Sequence, residues 1–183
     1  WQGFHPYTTW STTTLERADA LLEEAGYSGT TTRLGITRAY ATRHGAGPFV
    51  TEDASLAYAL PDAANIMGAW QDGFRVGWLD LVMLRYACGI VGALDEIAVT
   101  CLDRVAELPA LQVCRSYWDG ADIVAEIAAA PRGDLVGQEQ VTRLLLRCRP
   151  ILERVADADA LVRMIGDEGG VPVGIVSAGP TAE

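Results

Sequence analysis

The chain has 183 residues, half of them apolar, with 24 acidic and 14 basic side chains and a net charge of −10, a balance that excludes disorder and fits one domain with a sizeable core. An acidic surface is a poor match for a nucleic-acid backbone or an anionic membrane, and no apolar run approaches the ~20 residues that span a bilayer. Every basic residue is Arg, so this chain supplies neither a Schiff-base lysine nor a phosphate-loop lysine.

A hydroxyl-rich loop, Pro6-Tyr-Thr-Thr-Trp-Ser-Thr-Thr-Thr14, comes first. Thr13 or Thr14 is placed to cap a helix in which Leu15, Ala18, Leu21, Leu22 and Ala25 recur at helical spacing before Gly26 ends it. Residues 30–42 are rich in Thr, Ile and Tyr and predict a strand. Gly45, Gly47 and Pro48 mark a loop, and 52–77 is expected to be mostly loop because its periodicity is weak. The strongly apolar stretch 79–94 is too long for a strand and predicts a buried helix. Residues 96–101 form a short apolar run ended by a turn, as a buried strand does, and 111–117 predicts another. Within 137–155 the spacing predicts a helix with Val141, Leu144, Leu145 and Leu152 on one face, Pro150 disturbing its end. Residues 157–165 predict a helix and 171–176 a last strand. Helix and strand alternate, so the fold class is α/β with a partly parallel sheet, in a single domain over 1–183.

Cys88, Cys101, Cys114 and Cys148 form no Cys-x-x-Cys pair, and His5 and His44 lie far from them in sequence. That spacing predicts no zinc site; reduced, buried thiols in a cytoplasmic protein are expected.

Several segments have two readings each. Thr100-Cys-Leu-Asp103 ends a predicted buried strand, the edge where open α/β sheets bind ligands. The Asp103 carboxylate can accept hydrogen bonds from a guanine's ring N–H and exocyclic amine together, a donor pair that adenine lacks. Alternatively, Asp103 is a turn residue or a helix cap. Ser177-Ala-Gly-Pro180 follows the last strand and either approaches a ligand closely or simply turns the chain. Thr9 offers a hydroxyl to a phosphate oxygen or to a helix end. His44 is a structural residue or a catalytic one.

Four segments, in order, carry a resemblance. Gly3-Phe-His-Pro-Tyr-Thr-Thr-Trp-Ser-Thr-Thr13, Thr42-Arg-His-Gly-Ala-Gly-Pro-Phe-Val-Thr-Glu52 and Arg75-Val-Gly-Trp-Leu-Asp80 with Leu84-Arg-Tyr-Ala87 are the first three. The fourth is Thr100-Cys-Leu-Asp103 with Ser177-Ala-Gly-Pro180. Together they resemble the C-terminal half of the adenylosuccinate synthetases, over nearly the whole chain. The resemblance implies the C-terminal part of a mostly parallel-sheet, GTPase-like ligase fold. In that family GTP phosphorylates the 6-oxygen of a purine nucleotide, and the amino group of aspartate displaces the phosphate. The catalytic residues, the phosphate loop and the Mg²⁺ ligands belong to the N-terminal half, so no catalytic or metal-binding residue is expected here.

By the same resemblance, Asp103, Cys101, Ser177, Gly179 and Pro180 form the guanine pocket of GTP, and Thr9, His44 and Gly45 touch inosine monophosphate or a related nucleotide. Asp72, Phe74 and Arg75 fall in the amino-acid and phosphate loop. Three departures stand out. Cys101 replaces a Lys whose long stem packs on the base. His44 replaces a Val that lines the ribose site. Asp72 and Phe74 replace two arginines of a Thr-Thr-Gly-Arg-x-Arg-Arg-x-Gly loop, leaving Arg75 to hold at most a single carboxylate. The resemblance therefore implies a ligase using aspartate or another amine, homodimeric when full length. A non-catalytic nucleotide-binding fragment and a ligase with a different amine donor are the alternatives. Because the first residues already lie within a family motif, the chain is expected to be half of a longer protein, with an exposed apolar patch where the other half packs.

Overall fold

The computed structural model describes residues 3–9, 11–62, 65 and 73–179. In chain order these form α1 (Glu16–Glu24), β1 (Leu34–Arg38), β2 (Ala41–His44), α2 (Ala54–Ala59), β3 (Phe74–Gly77), β4 (Leu79–Asp80) and α3 (Leu81–Val91). There follow β5 (Glu96–Thr100), α4 (Leu102–Ala106), β6 (Leu111–Trp118), β7 (Ile123–Val124), α5 (Leu135–Arg147), β8 (Arg149–Val155), α6 (Ala158–Gly169) and β9 (Val173–Val176).

Three small sheets organise the described residues. β1, β5 and β9 are parallel, with β5 central. β2 and β3 pair antiparallel. β6 runs parallel to β4 and antiparallel to β7 and β8. The α/β class with a partly parallel sheet is thus borne out.

Four local expectations need correction. The single strand over 30–42 is two strands in different sheets, because Ala39 and Tyr40 turn inward between them at 1% and 3% exposure. The 52–77 stretch is not mostly loop among its described residues. Asp53 caps α2 by accepting from Ser55 N at 2.9 Å, and β3 closes the segment. The helix of 137–155 stops at Arg147, and Pro150 and Leu152 lie on β8 instead. Pro150 is tolerated there because β8 pairs with β6 alone among the described residues, and a strand edge does not need that N–H. Neither Thr13 nor Thr14 caps α1: Leu15 occupies the cap without a side-chain bond, and Thr14 N donates to Thr12 Oγ1 at 3.1 Å.

The main core lies where α3 and α6 pack between the parallel sheet and β6. Leu81, Val99, Val113, Leu161 and Ile165 are all fully buried there. α6 carries Leu161 and Ile165 one helical turn apart, so both face the sheet. Arg85 of α3 and Arg115 of β6 both pair with Glu168 of α6, fastening the layers at their rim. All four cysteines are free, and Cys114 is buried with its thiol pushed up to about 12 by burial.

Asp80 is the notable buried charge. It is 6% exposed, caps α3 through Met83 N at 3.0 Å, and accepts from Tyr117 Oη at 2.6 Å. Burial pushes its carboxyl up to about 6, although both hydrogen bonds pull the other way. A raised folded-state value means that Asp80 contributes stability below pH ~4 and loses it as pH rises through about 6. A shift of roughly two units corresponds to about 3 kcal/mol. The Asp80→Asn variant is therefore expected to gain about that much relative to the parent between pH 4 and pH 7. Urea titrations of both proteins across that range check it; a constant difference would contradict it.

Candidate functional site

The C-terminal ends of β5 and β9 meet. Ser177 N donates to Val99 O at 2.8 Å and Leu102 N to Ser177 O at 3.1 Å. Two segments 75 positions apart in sequence thus become one rim at the end of the parallel sheet. Cys101 makes the turn in the left-handed conformation at φ 61°, the one non-glycine residue to do so among the described residues. Such a conformation is disfavoured for a residue with a Cβ and persists where the surroundings enforce it. Here the strand must reverse at once into α4, whose Leu102 and Val105 are buried while Asp103 stays partly accessible in its first turn. Ser177 Oγ donates to Gly179 O at 3.3 Å and curls the second segment. Pro180 lies outside the described residues.

A second cluster sits on the β2–β3 pair. His44 and Phe74 are directly opposite in register, with ring centroids 5.0 Å apart. His44 Nε2 lies 3.0 Å from Asn65 Oδ1, and Asn65 Nδ2 donates to Asp62 Oδ2 at 2.7 Å. A carboxylate only accepts, so the Asn65 oxygen faces His44 and the imidazole carries its proton on Nε2. Gly45 has φ 74° and its N–H reaches Gly73 O at 3.4 Å. Arg75 donates from Nε and Nη2 to the two Glu52 oxygens at 2.9 and 2.5 Å, and from Nη1 to Gly45 O and Gly47 O at 3.0 Å each. That contact holds the Glu52 carboxyl below its usual range. Asp72 lies outside the described residues.

The sequence reading gave no role to Glu52, Asp53 or Trp78, and the structure pairs Glu52 with Arg75 and Asp53 with Trp78 across the same two segments. Trp78 N donates to Thr51 O at 3.0 Å, and Trp78 Nε1 to Asp53 Oδ2 at 3.0 Å. The Phe-Val-Thr-Glu-Asp and Arg-Val-Gly-Trp segments are one docked unit, which their complementary charges could have signalled. Gly77 permits the approach: a Cβ there would lie 2.7 Å from the Thr51 carbonyl carbon and 2.9 Å from Glu52 N. The Gly77→Ala variant is expected to lose about 1–3 kcal/mol, read as a drop of several degrees in Tm. An unchanged Tm would contradict this packing.

Thr9 belongs to a third place, an open groove of about 730 Å³ walled by the hydroxyl-rich loop, Arg38, Arg43, Tyr40 and Phe49. Its hydroxyl is 3.0 Å from Ser11 Oγ and exposed. Arg43 links this groove to the β2–β3 pair through Tyr7 O at 3.4 Å and Ala46 O at 2.9 Å.

A family model described as adenylosuccinate synthetase matches residues 1–183. The chain belongs to the adenylosuccinate synthetase family. The adenylosuccinate synthetase of Desulforudis audaxviator is 36% identical over 194 residues, covering 99% of this chain and 44% of the relative. That of Helicobacter pylori is 31% identical over 192 residues with the same coverage, and that of Thermus thermophilus is 40% identical over 123 residues, or 65% of this chain and 29% of the relative. A solved structure of fully ligated adenylosuccinate synthetase from Plasmodium falciparum shares the fold with a TM-score of 0.72 at 22% identity, covering 98% of this chain and 45% of its own. The chain thus spans under half the length of the adenylosuccinate synthetases it matches.

Proposed function

We propose that this chain forms the guanine- and purine-nucleotide-binding part of a GTP-dependent ligase that joins an amine to a 6-oxopurine nucleotide. The observation that carries the reading is the joining of Thr100-Cys-Leu-Asp103 to Ser177-Ala-Gly179 at the end of the parallel sheet, where open α/β sheets receive ligands. Asp103 accepts from the guanine ring N–H and amine, and the Ser177–Gly179 turn forms the facing wall. Cys101 contributes no basic stem over the base. Thr9 reaches the acceptor's phosphate, while His44 and Gly45 lie against its ribose. The γ-phosphoryl of GTP passes to the acceptor's 6-oxygen and GDP leaves; the amine nitrogen then bonds to C6, loses a proton, and phosphate departs.

Mg²⁺ and the phosphate-transfer machinery come from the rest of a full-length protein, of which these residues form a single C-terminal domain and which works as a cytoplasmic homodimer. The sheet supports the packing of such a remainder on this chain. Ile36, Ala98 and Ile175 fall in one row across β1, β5 and β9, and Ile36 and Ile175 are 74% and 49% exposed. An apolar row of this kind is where we place the remainder. The different-donor reading is favoured by Phe74, whose ring lies tilted against His44 where a carboxylate-binding Arg is expected. The test compares full-length protein with the 183-residue chain for GDP formation from GTP, inosine monophosphate, Mg²⁺ and a panel of amines. Turnover is expected of the full-length protein alone. Equal turnover by the short chain, or none by either, would overturn the proposal.

A further inference from the structure

We infer that Arg75 and Arg43, charge-balanced by Glu52, are positioning residues that turn the 45–47 loop into a donor-only surface for the acceptor nucleotide's ribose oxygens. This rests on the nucleotide reading proposed above. Arg43 and Arg75 are directly opposite in the β2–β3 register, an arrangement in which like charges repel. Burial and then Arg75 hold the Arg43 guanidinium below its usual range. So costly a placement is explained by what the two groups hold. Arg75 Nη1 takes Gly45 O and Gly47 O at 3.0 Å each; Arg43 Nε and Nη2 take Ala46 O at 3.1 and 2.9 Å.

All three carbonyls of the loop are therefore turned onto guanidiniums. Among the described residues no acceptor meets the N–H of Ala46 or of Gly47, and Ala46 is exposed. What remains for a ligand is backbone N–H, suited to an oxygen acceptor. The knot is rigid. Glu52 grips Arg75 in two places, Phe49 lies 5.4 Å beneath its guanidinium, and a Cβ on Gly47 would come within 2.7 Å of Tyr7 Cβ. Four of the five Arg75 N–H donors are occupied, so Arg75 serves the nucleotide's loop and not the amine donor's carboxylate.

The test is calorimetric binding of inosine monophosphate and, separately, of GTP to the full-length protein and its Glu52→Gln and Arg75→Lys variants. Both variants are expected to weaken inosine monophosphate roughly 10- to 100-fold, as for one or two lost hydrogen bonds, and to change GTP less than about twofold. GTP is the control because its proposed pocket lies on the other sheet, and a general loss of stability would move both ligands. In the parent, hydrogen exchange at Ala46 and Gly47 should slow when inosine monophosphate binds, a readout that stands even if a variant folds poorly. Unchanged affinity in both variants, or unslowed exchange at those amides, would overturn the inference while leaving the nucleotide reading intact. A parent that binds GTP but not inosine monophosphate would overturn both.

Discussion

Exchanging Asp103 for Asn in the full-length protein is expected to weaken GTP at least ~100-fold and to make xanthosine triphosphate the better phosphoryl donor. Each hydrogen bond from guanine to a carboxylate is worth roughly 1.5–3 kcal/mol, and two are at stake. An amide keeps one acceptor oxygen for the ring N–H but sets its NH₂ against guanine's own amine. Xanthine carries a carbonyl at that position and restores the match. The placement of Asp103 in the first turn of α4, partly accessible beside Ser177, is what the reading needs. Steady-state kinetics with both triphosphates check it. A variant that prefers GTP as strongly as its parent would remove Asp103 from guanine recognition.

The second large effect concerns the amine. Aspartate is expected to be a poor donor, with kcat/KM at least ~10-fold below that for glycine, alanine or ammonia. The loop that resembles a carboxylate-gripping segment has Phe74 tilted against His44 and Arg75 tied to Glu52 and two carbonyls. A dicarboxylate held there forgoes charge-assisted bonds of about 1.5–3 kcal/mol apiece, and one such loss already exceeds tenfold. A monocarboxylic amino acid or a less acidic amine is the expected substitute. Competition assays with the four amines decide the matter, and a clear preference for aspartate would sink the proposal.

These expectations began in the sequence, which was legible in uneven measure. Long apolar segments were readable: α3, α6 and β5 lie where periodicity and length put them, because burial of Leu81, Leu161 or Val99 fixes both pattern and position. The breaks were harder. Ala39 and Tyr40 read as part of one strand, although tertiary packing buries them at a change of sheet. Leu152 matched a helical face by spacing, yet β6 captured it as a strand partner of Cys114. The ordered motifs revealed the family, but spacing alone did not show that Glu52 and Arg75, 23 positions apart, close on each other. A bidentate pair between loops is set by how β2 and β3 dock, and single-sequence periodicity carries no trace of that.

The central claim is most directly tested by the fate of one oxygen atom. Full-length protein is supplied with GTP, Mg²⁺, an accepted amine and inosine monophosphate labelled with ¹⁸O at position 6, and the released phosphate is weighed by mass spectrometry. If GTP activates the purine oxygen for displacement by the amine, each turnover moves that ¹⁸O into phosphate, in step with GDP formation. Unlabelled phosphate would mean that GTP is merely hydrolysed, and would contradict the assignment of this chain to a purine-aminating ligase.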